Sequence, residues 1–362
     1  MQSPHTMCAA EKRILTKGRD SMPNHPLARK AALAKLDEQI AQSRIQLKTA
    51  FDRYPPPPRI DRTLRSATLA SGVSGYAALS SLSVRRFAAQ SLIDLMLQQH
   101  DQLKTDASVR TFFMTASYDA GICFEDAPAV DQAGIKLSVR RVLQKLNLQA
   151  ICAFEVDVMA KKLPGEHSRR LLFHVHAICW TRDASFQPVV AAGKLSDSPY
   201  FANLLGAPSF TFLSRKMAAS RRINSERDPR FAKLERDQIA RSIAWMCQYL
   251  LKPPLFAKHR LEQEDGRVVM RPDAGAFRMK TVLRMAEIWS KISVNQSVFA
   301  IGLDADKLVR ALKRRVAQFT RDNGSAKNRG LAEVEISRAW ALLFAAHPKL
   351  GYQTTVIKHR RS

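Results

Sequence analysis

The chain has 362 residues, 46% of them hydrophobic, enough to bury a substantial core and to form one to three domains. Lys and Arg number 58 against 32 Asp and Glu, a net charge of +26, which points to a polyanionic partner: nucleic acid first, an anionic membrane surface second. No run approaches the roughly 20 apolar residues of a membrane span. The N-terminus MQSPHTMCAAEKRILTKGRD has no apolar segment of a secretory signal, and five scattered cysteines without a CxxC pair argue against both a disulfide framework and structural zinc. A soluble, cytoplasmic protein of a reducing compartment is expected.

Residues 26–51 are rich in Ala, Leu, Lys and Gln and read as a helix, which YPPPPRI at 54–60 ends as a semi-rigid linker. SVRRFAAQSLIDLMLQQHDQL, 83–103, is a second amphipathic helix. The texture then changes. RTFFMTASYDAG from 110 is strand-like, and GIKLSVRRVLQKLNL at 134–148 has helical period. AICAFEVDVMA at 150–160 is a strand, KKLPGEH a turn, and SRRLLFHVHAICW another strand. A polar loop region follows, then a helix near 230–252 stopped by Pro253–Pro254. From about 277 the pattern is helical again, and residues 278–362 hold 17 Lys or Arg against 6 Asp or Glu. The expected class is α+β, with a largely antiparallel sheet between helical flanks. The expected division is a helical region at 1–105, a central domain at 106–260 and a basic helical region at 261–362. No phosphate-binding glycine loop is present.

Within the central strands, His174 and His176 are two positions apart and share one face. Neutral imidazole is a common metal ligand, and a mixed imidazole and carboxylate site suits Mg²⁺, Mn²⁺ or Zn²⁺. A hairpin centred on Pro164–Gly165 sets Glu155 opposite His174 and Ala153 opposite His176, with facing Cβ atoms ~5 Å apart. Asp157 lies on the same face one pleat away. A one-residue slip in register would break the arrangement. His167, at the hairpin tip, is an outlying candidate. Downstream, IARSIAWMCQYLLKPP puts Tyr249 and Lys252 on one helical face. A tyrosine beside a divalent metal can attack a phosphodiester, with a lysine holding the phosphate or balancing the phenolate.

In order, RTFFMTASY, FEVDV, FHVHAI and QYLLK resemble the motifs of HUH endonucleases, most of all the rolling-circle replication initiators with a single catalytic tyrosine. The likeness covers roughly residues 110–255. It implies an RRM-like antiparallel sheet, with His174, His176 and Glu155 as ligands of Mg²⁺ or Mn²⁺, Tyr249 as nucleophile and Lys252 as its helper. It implies nicking of single-stranded or origin DNA through a 5′-phosphotyrosine, and a host helicase as a further partner. The spacing from the histidines to Tyr249 is long for that family, with a basic insertion at 214–241. A transposase or relaxase of the same superfamily fits the same motifs. Basic segments at 214–241 and 278–362 are expected to track the DNA backbone. Two other readings remain open. One is a non-catalytic DNA- or RNA-binding protein whose Phe112 or Phe113 stacks on bases. The other is a metal-dependent hydrolase that uses water.

Overall fold

A computed structural model describes residues 25–69, 77–103, 109–214, 231–323 and 333–359. At its centre is an antiparallel sheet in the order β6–β1–β5–β4–β9. Its strands are β1 (Arg110–Ala116), β4 (Gln149–Val158), β5 (Arg170–Thr181), β6 (Phe210–Ser214) and β9 (Phe299–Ile301), and a short β2 (Ile122–Phe124) also pairs with β5. Strands β4 and β5 are buried along almost their whole length, so they read as apolar runs rather than as clean alternation. Their polar exceptions, Glu155, Asp157, His174 and His176, fall on one face. In the β4–β5 register Glu155 faces His174 and Ala153 faces His176, as the hairpin centred on Pro164–Gly165 requires.

Helices flank this sheet in the sequence on both sides. Before it come α1 (Pro26–Arg53), α2 (Pro58–Thr68) and α3 (Leu82–Leu103). Helix α4 (Gln132–Lys145) follows the short β3 (Ala129–Val130), and the Asp131 carboxylate caps it by accepting the Gly134 N–H. Lys136 of α4 lies over the Phe154 ring, so α4 covers the face of the sheet opposite Glu155. Helices α5 (Pro188–Ser196) and α6 (Phe231–Leu251) come next, and α6 packs on β4 and β5 under a second layer formed by α1 and α3. The chain continues through a hairpin of β7 (Phe256–Glu262) and β8 (Val268–Ala276), then α7 (Met279–Ser290), α8 (Val294–Ser297), β9, α9 (Leu303–Asn323), α10 (Glu333–Ala346) and β10 (Val356–Ile357), which pairs in parallel with β3.

The structure differs from the sequence-based expectation in several places. The proline run is not a linker throughout. Pro58 opens α2, because a missing N–H and a fixed φ suit the first helical position, and Ile60 and Leu64 of that helix are buried. The β7–β8 hairpin lies where no element was expected; it turns at Asp265–Gly266, where Gly266 takes φ 77. The C-terminal region is not helical throughout, since β9 closes one side of the sheet on β4. One apolar cluster runs from Ala28 through Phe154 to Leu350, and the hairpin crosses residue 260. Of the basic insertion at 214–241, residues 215–230 lie outside the described residues, as do 324–332 and 360–362 of the basic C-terminal region. Cys123, Cys152, Cys179 and Cys247 are unpaired. Among the described residues no helix is long and apolar enough to cross a membrane.

Candidate metal centre

Residues on three strands and one helix converge beneath α6. Glu155 (4% exposed), His174 (4%) and His176 (5%) are buried, so the histidine pair sits under a helix rather than on an open sheet surface. One ligand atom from each, the two imidazole Nε2 atoms and a carboxylate oxygen, lie within 4.8 Å of one another, and the three residues could hold a metal ion. Glu155 Oε2 is 2.6 Å from His176 Nε2 and 3.5 Å from His174 Nε2, and the two Nε2 atoms are 3.1 Å apart.

Hydrogen bonds orient both rings from behind. His174 Nδ1 donates to the Leu172 carbonyl at 3.0 Å. A carbonyl can only accept, so neutral His174 carries its proton on Nδ1 and presents a bare Nε2 to the cluster. His176 Nδ1 lies 2.9 Å from Thr115 Oγ1, and a hydroxyl serves either tautomer. Glu155 Oε2 is buried, and its polar neighbours are the two imidazole Nε2 atoms. Its position against two imidazole nitrogens fits a cation held among the three atoms.

The electrostatics agree with that fit. Burial alone would raise the pKa of Glu155, but the Lys252 ammonium and the imidazoles outweigh it and hold the carboxyl well below the usual carboxylate range. Burial brings His176 down to about 4, only partly opposed by Glu155. Burial acts on His174 in the same sense, yet Glu155 and Asp157 together overcome it and raise its pKa. Asp157 Oδ2 lies 3.7 Å from His174 Nε2 and adds a second carboxylate to this side of the cluster.

Tyr249 and Lys252 come from the last turn of α6 and the residue just after it, and both reach the site. The Tyr249 ring packs against His176 (centroids 5.2 Å), Phe113 (5.4 Å) and Trp245 (5.0 Å). Its hydroxyl makes no hydrogen bond among the described residues, and burial followed by the Glu155 charge pushes its pKa up. Lys252 lies 4.0 Å from the Tyr249 ring centroid and donates to Glu155 Oε1, so its charge is committed to the carboxylate. His167 is remote from this group; it pairs with Asp126 at 3.2 Å and packs on Phe124.

Three neighbours escaped the sequence reading. Lys258, on β7, lies 3.6 Å from Asp157 Oδ2 and brings a second cation that acts on Tyr249. Thr115, on β1, orients His176. Arg85, on α3, donates through Nη1 to the carbonyls of Leu251 (3.2 Å) and Lys252 (2.9 Å), and stacks 4.6 Å from the Trp289 ring centroid. Burial lowers its pKa to about 9. No sequence spacing links these residues to the histidines, because each arrives through tertiary packing. No family model, curated protein or solved structure matches the chain.

Proposed function

We propose that the chain is a metal-dependent, single-strand DNA endonuclease and strand transferase of the HUH type, on an RRM-like sheet, acting as a replication initiator at a plasmid or phage origin. One observation carries this reading: Tyr249 packs directly on His176, a member of the only three-residue metal-ligating group among the described residues. A bound divalent ion would supply Lewis-acid polarisation of a phosphodiester. Of the two ions expected, two imidazoles and one carboxylate favour Mn²⁺ over Mg²⁺, which prefers oxygen donors.

The chain's own residues then have distinct tasks. Tyr249 Oη attacks phosphorus, a P–Oη bond forms and the P–O3′ bond breaks. The phenolic proton passes to solvent, the departing 3′ oxygen takes one up, and the 5′ side stays on the protein as a phosphotyrosine. Lys252 neutralises Glu155 and stays over the phenol ring. Lys258, partly exposed, is placed to receive the phosphate's charge. Basic side chains of the flanking regions hold the backbone, with a log–log salt slope of about −0.7 per phosphate neutralised. Transposition or mobilisation would use the same chemistry at a different target.

A non-catalytic nucleic-acid-binding protein is the second reading, and the upward-held phenol of Tyr249 favours it. Its stacking residues would not be Phe112 or Phe113, which are 2% and 6% exposed. The deciding experiment incubates the protein with a single-stranded origin-like oligonucleotide and Mn²⁺. A denaturation-resistant adduct mapped by mass spectrometry to Tyr249 is expected. Attachment at Tyr118 or Tyr200 would reassign the nucleophile. Cleavage without any adduct would make water the nucleophile, and no cleavage would leave the binding protein.

A further inference from the structure

Helix α6 carries more toward its outer end than the nucleophile. Arg241, Trp245, Tyr249 and Lys252 follow one another at helical spacing and share one face. Trp245 is 44% exposed, whereas Trp180, Trp289 and Trp340 are 5%, 3% and 0% exposed. The other three indoles, on β5, α7 and α10, belong to the apolar core, and Trp245 does not. Its ring lies 5.0 Å from Tyr249 and 6.2 Å from Phe113, so it continues the aromatic group that begins at His176.

The sheet extends the same surface. Phe113 on β1 stands opposite Leu213 on β6, and directly opposed residues point to the same side. Leu213 is 45% exposed, and β6 is the outer strand of the sheet beyond β1. Leu213 and Trp245 are thus exposed apolar side chains that both neighbour the buried Phe113 ring, between the sheet edge and Tyr249. Arg241, exposed, stands one helical turn beyond Trp245, a rise of about 6 Å. A flat aromatic face between a guanidinium and a candidate phosphate site is complementary to a nucleotide: base on the ring, phosphates on either side.

We propose that Trp245 is the stacking platform for one unpaired base next to the phosphate that Tyr249 attacks, with Arg241 on the following phosphate. This rests on the proposed nicking activity for the identity of the strand, and it names what that activity requires: an unstacked base, hence single-stranded DNA rather than duplex. Trp245 is a positioning residue here, since it touches substrate away from the reacting atoms.

The test uses the full chain and a thymidylate oligonucleotide, with an abasic oligomer of equal length and the corresponding duplex as controls. Because Trp245 is the exposed tryptophan of four, thymidylate should quench and shift the intrinsic fluorescence, and the abasic oligomer should not. Trp245→Ala should lose about tenfold in thymidylate affinity and nothing for the abasic oligomer, while Trp245→Phe keeps most of the affinity but loses the optical signal. Unchanged abasic binding shows that the variant is folded. Equal affinity of wild type and Trp245→Ala for thymidylate, or equal quenching by duplex, would overturn the platform even if a Tyr249 adduct forms. The expected binding pattern without any adduct would instead keep the platform and remove the nickase.

Discussion

Two buried carboxylates define two different kinds of polar cluster. Glu125, beneath α7, is finished: Arg169 donates to both of its oxygens at 2.8 Å, and Tyr352 (2.8 Å) and Thr281 (3.1 Å) add bonds to Oε1. Nearby Glu287 is equally complete, accepting the Thr355 N–H at 2.8 Å and Arg284 Nη1 at 2.9 Å. Glu155 is not. Lys252 satisfies one oxygen, and the other meets only the two imidazole nitrogens, which can serve a cation instead. The tyrosines repeat the contrast, for the Tyr352 hydroxyl is spent on Glu125 and the Tyr249 hydroxyl is spent on nothing among the described residues. A completed network ties segments together; here it fastens residues 352–355 to α7 and to the start of β5. An incomplete one keeps valence for something that comes from outside.

The strongest way to break the comparison is to exchange the roles of the tyrosines. Tyr249→Phe should reduce adduct formation and nicking at least a thousandfold while DNA binding persists, as read on a denaturing gel; nicking at the wild-type rate in this variant would end the assignment. Exchanging the carboxylates comes next. Glu125→Gln should cost about 3 kcal/mol in urea unfolding, because it leaves Arg169 buried without its counter-charge. Mn²⁺ at a hundredfold excess over its Kd should stabilise the wild type by about 3 kcal/mol. That gain should survive in Glu125→Gln and vanish in Glu155→Gln or in His174→Ala/His176→Ala, whatever those changes do to the metal-free protein. Unchanged Mn²⁺ affinity by calorimetry in the histidine variant would move the metal site elsewhere.

Acid gives a smaller, signed effect. His176 stays neutral in the folded chain down to about pH 4, whereas an unfolded histidine charges near pH 6.5. Between those values the unfolded state binds the extra proton, so stability falls as pH falls from about 6.5 to 4. Glu155 adds to the loss further down, as pH drops through its depressed folded pKa. His174 runs the other way: its raised pKa gives stability that is complete below about 6.5 and lost as pH rises through the folded value. His176→Gln should therefore flatten the acid side of a plot of unfolding free energy against pH; an unaltered slope there would mean that His176 is charged in the fold. Smallest of all, Tyr352→Phe should lower stability by about 1 kcal/mol and leave nicking intact.

How much of this was readable from the chain follows from which contacts are local. The β4–β5 hairpin is a short connection with period-two pairing, so the partners of His174 and His176 followed from where the turn lies. Tyr249 and Lys252 share a helical face by spacing alone. What spacing cannot give is orientation in depth. The same alternation that put the histidines on one side did not tell that α6 would cover them. Lys252 was expected to serve the phenol or a phosphate, but a lysine beside a buried carboxylate pairs with it. The β7–β8 hairpin went unread although Asp265–Gly266 is a hairpin turn signal, because β7, FAKHRLE, carries too many charges to look like a strand. Phe112 and Phe113 drew attention as possible base-stacking residues, yet both are buried, and the exposed ring beside Tyr249 is Trp245, on α6.

Arg85 bears on how the molecule can be dissected. Helix α6 ends against Pro253, and the carbonyls of Leu251 and Lys252 are closed off by a guanidinium that belongs to α3, 166 positions back along the chain. A fragment begun near residue 106 would contain every motif of the candidate site and still lack that closure. The last turn of α6 would be left with open carbonyls in an apolar setting, and Lys252 would lose the anchor that aims it at Glu155. A portable version of the module has to start no later than Leu82, carrying a helix that holds no candidate metal ligand or nucleophile.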